Sequence, residues 1–197
     1  MHKFVIACIF LFSVCLIGQT DQRIYDIMNK VSAERIKKDV TTLVNFGTRH
    51  TLSDTISNTR GIGAARRWIK SEFDRISEKC NDCLEVSYQR DLVKKEESNR
   101  IPKDVWVVNV VAIQRGTTYP DRYIIMSGDI DSRVSDANNY TSDSPGANDN
   151  ASGMAGTIEA ARVLSNYKFE NSIIYLGLSG EEQGLFGGQG LVKRAKE

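Results

Sequence analysis

The sequence has little net charge and no stretch dominated by one sign of charge. Its 26 Lys and Arg residues nearly balance 25 Asp and Glu residues, which gives a formal net charge of +1. A dense basic stripe and interleaved aromatic and basic residues are both missing, so the electrostatic footprint of a nucleic-acid-binding protein is not present. Internal repeats and low-complexity segments are also missing. With 197 residues, 41% of them hydrophobic, the chain can form one ordinary core, and we expect one globular domain.

A single long apolar run is present, and it lies at the N-terminus. The residues FVIACIFLFSVCLIG (4–18) follow a short charged segment and precede a polar one, which is the pattern of a secretory signal peptide. A buried N-terminal helix is the alternative. The run is shorter than the ~20 apolar residues that a membrane span needs. We therefore predict a signal peptide over residues 1–20, a mature domain over residues 21–197, export to the periplasm or the extracellular space, and no stable membrane anchor.

Cysteine is scarce outside the predicted signal peptide. Cys8 and Cys15 fall within it, which leaves Cys80 and Cys83 of CNDC as the pair in the mature chain. A zinc site of the Cys/His type needs four ligands, and no second Cys/His pair accompanies this one. A redox C-x-x-C motif would be expected between a strand and a helix, which is not the context here. In an oxidising compartment we predict a structural disulfide between the two residues.

The rest of the chain alternates between predicted helices and strands. Amphipathic spacing predicts helices over residues 32–47, 59–77 and about 150–164, with Ser32 capping the first and Asp149 or Asn150 the third. Alternating or continuous apolar runs predict strands over residues 84–93, 105–113, 123–127 and 172–178. The runs at 105–113 and 123–127 are typical of strands buried on both faces. We therefore predict an α/β fold with helices on both sides of the sheet.

Acidic residues follow two of the predicted strands. Asp129 comes after the strand at 123–127, the adjacent Glu181 and Glu182 come after the strand at 172–178, and Asp149 lies at a helix entrance. Ligands of open α/β sheets gather outside the carboxyl ends of strands. If the two strands are close, these carboxylates converge, and divalent cations would offset their repulsion. The alternative is that the Asp residues are solvated turn formers and the Glu pair merely interacts with a helix dipole.

Two motifs resemble the signature segments of the M28 family of zinc-dependent aminopeptidases. They are PGANDNASG (145–153) and SGEEQGLFG (179–187), in that order. The resemblance implies a three-layer α/β/α sandwich with a mostly parallel mixed sheet and two zinc ions at the strand ends. It also implies that Asp149 bridges both ions, that Glu181 is the general base activating a water molecule, and that Glu182 is a ligand of one ion.

The sequence departs from the family pattern before the first motif. In SGDIDSR, Asp129 stands where the family normally has its first ligand, a histidine, and an aspartate can also bind zinc. The usual pairing of a carboxylate with a ligand histidine then has no counterpart between Asp131 and Asp129, so Asp131 has no assigned role. His50, in FGTRHT, is expected to be a loop or helix-end histidine and not a ligand.

The resemblance runs from the N-terminal helices to the end of the chain. The further Asp and His ligands that the family has downstream of its glutamate pair have no counterpart in these 197 residues. We therefore expect a fragment with an incomplete sheet at its C-terminus, two protein ligands per ion, and no peptidase activity by itself.

Three functions are compatible with this sequence. The first is a secreted aminopeptidase acting on the N-termini of peptides or proteins, the second a glutaminyl-cyclase-like acyltransferase, and the third a non-catalytic binding domain. The intact GEEQG favours a hydrolase over a binding domain, which has no need for a base beside a ligand. Asp149, in a bridging context, favours a two-metal peptidase over a cyclase.

Overall fold

The structure is a computed structural model that describes residues 21–196. The predicted signal peptide lies outside the described residues, so export and the boundary at residue 20 remain predictions. The chain divides into two compact units between Lys30 and Val31. The described part of the first contains helix α1 (Gln22–Met28), whose first turn is capped by Asp21. Within residues 21–196, no helix is both long and apolar enough to cross a lipid bilayer.

The second unit contains the helices and strands that build the site. The helices are α2 (Ala33–Val44), α3 (Gly61–Lys79), α4 (Ser152–Leu164), α5 (Glu181–Gly184) and α6 (Phe186–Arg194). The strands are β1 (Leu84–Val93), β2 (Val105–Gln114), β3 (Tyr119–Asp129) and β4 (Asn171–Leu178). The side chain of Ser32 caps α2 as predicted, since its hydroxyl accepts a hydrogen bond from the Arg35 N–H at 3.3 Å.

The start of α4 differs from the sequence-based prediction. A π-helical turn (Ala147–Ala151) precedes this helix, and Ala151 occupies the N-cap position without a side-chain hydrogen bond. Asp149 and Asn150 have non-helical backbone angles inside that turn. Neither residue caps α4, so that prediction is wrong, and the side chain of Asp149 is not committed to a helix end.

The four strands form one mixed sheet in the order β1-β2-β4-β3. The β3–β4 pair is parallel, whereas β1–β2 and β2–β4 are antiparallel. The predicted α/β fold with a mixed sheet is confirmed, and parallel pairing among the described strands is confined to β3 and β4. Because these two strands run in the same direction, their carboxyl ends meet at one edge of the sheet.

Helices cover both faces of the sheet, which confirms the three-layer arrangement. Alternate residues of β2 point to opposite faces. On one face, Val110 and Ala112 pack in the main core with Ile69 and Phe73 of α3. On the other, Val107 packs in a second cluster with Phe186 of α6. A disulfide between Cys80 and Cys83 follows α3, as predicted.

Strand β3 is less buried than its sequence indicates. The run at 105–113 is largely buried in β2, as expected, but Tyr123, Ile124 and Ile125 of β3 are 46%, 55% and 52% exposed. The prediction of burial on both faces is therefore wrong for β3. The reason is its position, because β3 is the last strand in the order and has no neighbour on its outer side among the described residues.

Candidate metal centre

The parallel β3–β4 pair brings the predicted site residues to one edge of the sheet. Asp129 is the last residue of β3 and lies in register with Leu178, the last residue of β4. Glu181 and Glu182 begin α5, which follows β4 after two residues. Asp149 approaches from the turn before α4. The proximity expected from the order of strands and acidic residues is thus present in the fold.

The four carboxylates interact electrostatically. Burial raises the pKa of Asp129, and the negative charges of Asp149 and Glu182 raise it further. Burial also raises the pKa of Glu181, followed by the charges of Asp129, Glu182 and Asp149. Each influence favours the protonated carboxyl group over the carboxylate. A cation placed among these groups would act in the opposite direction.

Two arginines partly offset this negative charge. The Nε of Arg133 lies 2.7 Å from Oε2 of Glu182, with both side chains mostly buried. Arg49 interacts electrostatically with Asp149. Burial is the largest cause of the raised pKa values of Asp129 and Glu181, and the charges of neighbouring carboxylates add to it. Divalent cations supply positive charge and accept carboxylate oxygens as ligands.

The donor set fits a divalent cation in chemistry but not in number. Within residues 21–196, no group of three or more His, Cys, Asp or Glu side chains is arranged to hold one metal ion. Catalytic zinc usually has three protein ligands and a water molecule. The described carboxylates therefore match at most part of a zinc site, and the ligand set expected from the sequence stays a prediction.

Asp131 holds the backbone of the two glutamates by hydrogen bonds. Its side chain is buried and accepts hydrogen bonds from the backbone N–H groups of Glu181 and Glu182, both at 3.2 Å, and from the Thr51 hydroxyl at 2.8 Å. Burial raises its pKa to about 6. The sequence did not indicate a role for Asp131, whereas in the structure its hydrogen bonds fix the start of α5.

Arg49 is a buried residue that holds the loop before Asp149 by hydrogen bonds. It is 1% exposed, and its guanidinium donates hydrogen bonds to four backbone carbonyls. The acceptors are Ile130 (2.8 Å), Leu43 (3.1 Å), Pro145 (2.6 Å) and Gly146 (3.0 Å). This role could not be predicted from the sequence, because the partners of Arg49 lie up to 97 positions away and no local pattern marks it.

The turn carrying Asp149 requires a glycine at its entrance. Gly146 has a φ of +49°, in the left-handed region that favours glycine. A Cβ at this position would lie 2.5 Å from the backbone oxygen of Asp149 and 2.9 Å from Nη2 of Arg49. A glycine at position 146 is therefore a steric requirement of this turn.

His50 belongs to the framework of the site, in a loop as expected. It is fully buried, and its Nδ1 accepts a hydrogen bond from the Leu52 N–H at 3.0 Å. Burial lowers its pKa, so the ring is neutral and Nε2 donates to the Ala137 carbonyl at 3.0 Å. Gln183 of α5 donates to the same carbonyl at 2.8 Å. This hydrogen bond connects α5 to the loop that contains Ala137.

Part of the chain is similar to a known protein family. Residues 109–197 match the family model of Peptidase family M28, a stretch that includes all four carboxylates. Over these residues the chain is similar to that family.

The chain is also similar to curated relatives and to solved structures. A probable zinc metalloprotease of Pyrenophora teres f. teres is 44% identical over 176 residues, which are 89% of this chain and 36% of that protein. The Legionella pneumophila LapA aminopeptidase superposes with a TM-score of 0.66 at 20% identity, covering 91% of this chain and 42% of that one. A Macrostomum lignano glutaminyl cyclase gives 0.64 at 15% identity, covering 86% and 47%. At these identities the two structures establish the fold alone.

Proposed function

We propose that this chain belongs to peptidase family M28 and provides part of the catalytic edge of a secreted, two-zinc aminopeptidase. The observation that supports the proposal is the meeting of four mutually interacting carboxylates at the carboxyl ends of β3 and β4. Asp149 would contact both ions, Asp129 one of them and Glu182 the other. Since the chain spans 36% of the length of the Pyrenophora relative, the remaining ligands would come from outside these residues.

Glu181 is assigned to proton transfer. Bound zinc would lower the pKa of a water molecule and polarise the carbonyl of the scissile bond. Glu181 would take the proton from the attacking water and deliver it to the leaving amine. Its raised pKa brings the carboxylate closer to the neutral range in which a general base is most effective. The hydrogen bond from its N–H to Asp131 holds the backbone at this position.

Two other functions remain as alternatives on the same fold. The likeness to glutaminyl cyclases is one of fold, whereas the sequence relative at 44% identity is named a probable zinc metalloprotease. A non-catalytic binding domain has no use for a second carboxylate beside a ligand, and the charge of Glu182 raises the pKa of Glu181. Both observations favour the peptidase.

The test combines metal content with turnover in the natural gene product. Zinc per chain is measured by elemental analysis after loading and desalting. Turnover is measured as release of N-terminal residues from a panel of aminoacyl substrates, with cyclisation of N-terminal glutamine followed in parallel. Asp149→Asn should lose zinc, whereas the exposed Glu170→Gln should change neither quantity. Full zinc content in Asp149→Asn, or cyclisation without hydrolysis, would contradict the proposal.

A further inference from the structure

A cationic cleft lies on the α3 side of the sheet, apart from the four carboxylates. It has a volume of about 560 Å³, and its walls come from α3, β1, the start of β2 and the loop before α3. Its lining includes Arg66, Arg67, Arg90 and Lys103, together with the aromatic side chains of Tyr88 and Trp106.

Arg66 is the innermost cation of this cleft. It is 8% exposed, and among residues 21–196 no carboxylate pairs with its guanidinium. Burial lowers its pKa to about 10, and the positive charges of Arg67 and Arg90 act in the same direction. Burying a charge without a partner costs free energy. A bound anion would reduce this cost at Arg66.

The other charged residues that line the cleft do not neutralise the charge of Arg66. Arg67 donates to the carbonyls of the preceding loop. Arg90 lies 5.8 Å from the ring centre of Tyr88, and Lys103 lies 4.7 Å from that of Tyr140. Asp104 is the one carboxylate in the lining, and it is already paired with Lys94 at 2.7 Å.

We propose that this cleft is a binding site for a small oxyanion attached to an aromatic or apolar group. Guanidinium groups bind the oxygens of carboxylates and phosphates in a forked geometry. Arg66 would contact the oxyanion at the base of the cleft, with Arg90 and Lys103 closing around it. Trp106 is 57% exposed at the cleft and offers a surface for a ring. None of the four carboxylates lines this cleft, and the proposal does not rest on the proposed peptidase activity.

Calorimetric titration of the full chain with phenyl phosphate and with benzoate, at matched ionic strength, tests the proposal. One saturable site is expected, with phenyl phosphate binding more tightly because its two charges meet several cations. Tighter binding of benzoate would assign the site to carboxylates and still support it. Arg66→Met should weaken binding by about tenfold without lowering the melting temperature in anion-free buffer, because it removes an unpaired buried charge.

Arg122→Met is the matched control, because Arg122 carries the same charge, lies in β3 and packs on Tyr119, away from the cleft. It should leave both affinities unchanged. If Arg66→Met does not fold, the exposed Arg90→Met replaces it, with a loss of about threefold expected. No saturable binding of either anion at millimolar concentration, or equal losses in the control and the cleft variants, would overturn the proposal.

Discussion

Replacing Arg49 with methionine should lower the free energy of unfolding by about 4 kcal/mol. The four carbonyl acceptors lie 2.6 to 3.1 Å from the guanidinium nitrogens. Hydrogen bonds from a charged donor contribute about 1.5–3 kcal/mol each. The summed contribution of the four bonds is therefore larger than the loss of about 4 kcal/mol that we expect. The cost of burying the guanidinium, several kcal/mol, offsets part of that sum.

Urea denaturation of the full chain, followed by circular dichroism, measures this loss. Arg49→Lys keeps the charge, but an ammonium group cannot reach four carbonyls at once, so we expect about half the effect. Arg122→Met, at an exposed position, should stay within about 0.5 kcal/mol of the unmodified chain. A loss below about 1 kcal/mol in Arg49→Met would refute the stabilising role of Arg49. It would mean that the four carbonyls find other hydrogen-bond donors when the guanidinium is absent.

Four further predictions concern separate parts of the chain. In the natural gene product, Glu181→Gln should keep zinc and lose most turnover, measured by elemental analysis and aminoacyl hydrolysis. Asp129→His should shift the metal preference from Mn²⁺ towards Zn²⁺ in competitive titrations, since it replaces an oxygen ligand by nitrogen. Burial, followed by the charge of Glu72, raises the pKa of Asp39 to about 6. Its contribution to stability is therefore present below about pH 4 and lost as pH rises through about 6. Asp39→Asn should thus raise the free energy of unfolding by about 2 kcal/mol at about pH 7.5, and little at about pH 4, in urea titrations. Cys80 and Cys83 of exported material should resist thiol alkylation until reduced.

Each of these predictions has an outcome that contradicts it. Loss of zinc in Glu181→Gln would show that this glutamate is a ligand, and an unchanged metal preference in Asp129→His would show that Asp129 is not one. A stabilisation of Asp39→Asn that is equal at both pH values would exclude titration as its cause. Two thiols alkylated before reduction would exclude the disulfide in solution.

The sequence was sufficient for the elements whose cause is local. The spans of β1 and β4 follow from apolar patterns, and Ser32 marks the start of α2 by side-chain chemistry alone. The meeting of Asp129 with the Glu pair was also predictable, because it depends on two strands having carboxyl ends at the same edge.

Features that depend on distant parts of the chain could not be predicted. Asp131 and Thr51 are 80 residues apart, and no periodicity links an aspartate to the N–H groups it caps. The exposure of Ile124 and Ile125 follows from the position of β3 in the sheet order, which a β-branched run does not encode. The backbone of Asp149 follows from packing around Gly146 and not from helix propensity.

The outer side of β3 would connect strand docking with metal binding. This strand ends in Asp129, and its outer side has unpaired backbone groups among the described residues. A strand that docks along this side would hydrogen-bond to β3 and stiffen the backbone that presents Asp129. Docking along the outer side of β3 would then change how much metal the proposed site holds. Metal content would therefore report on docking.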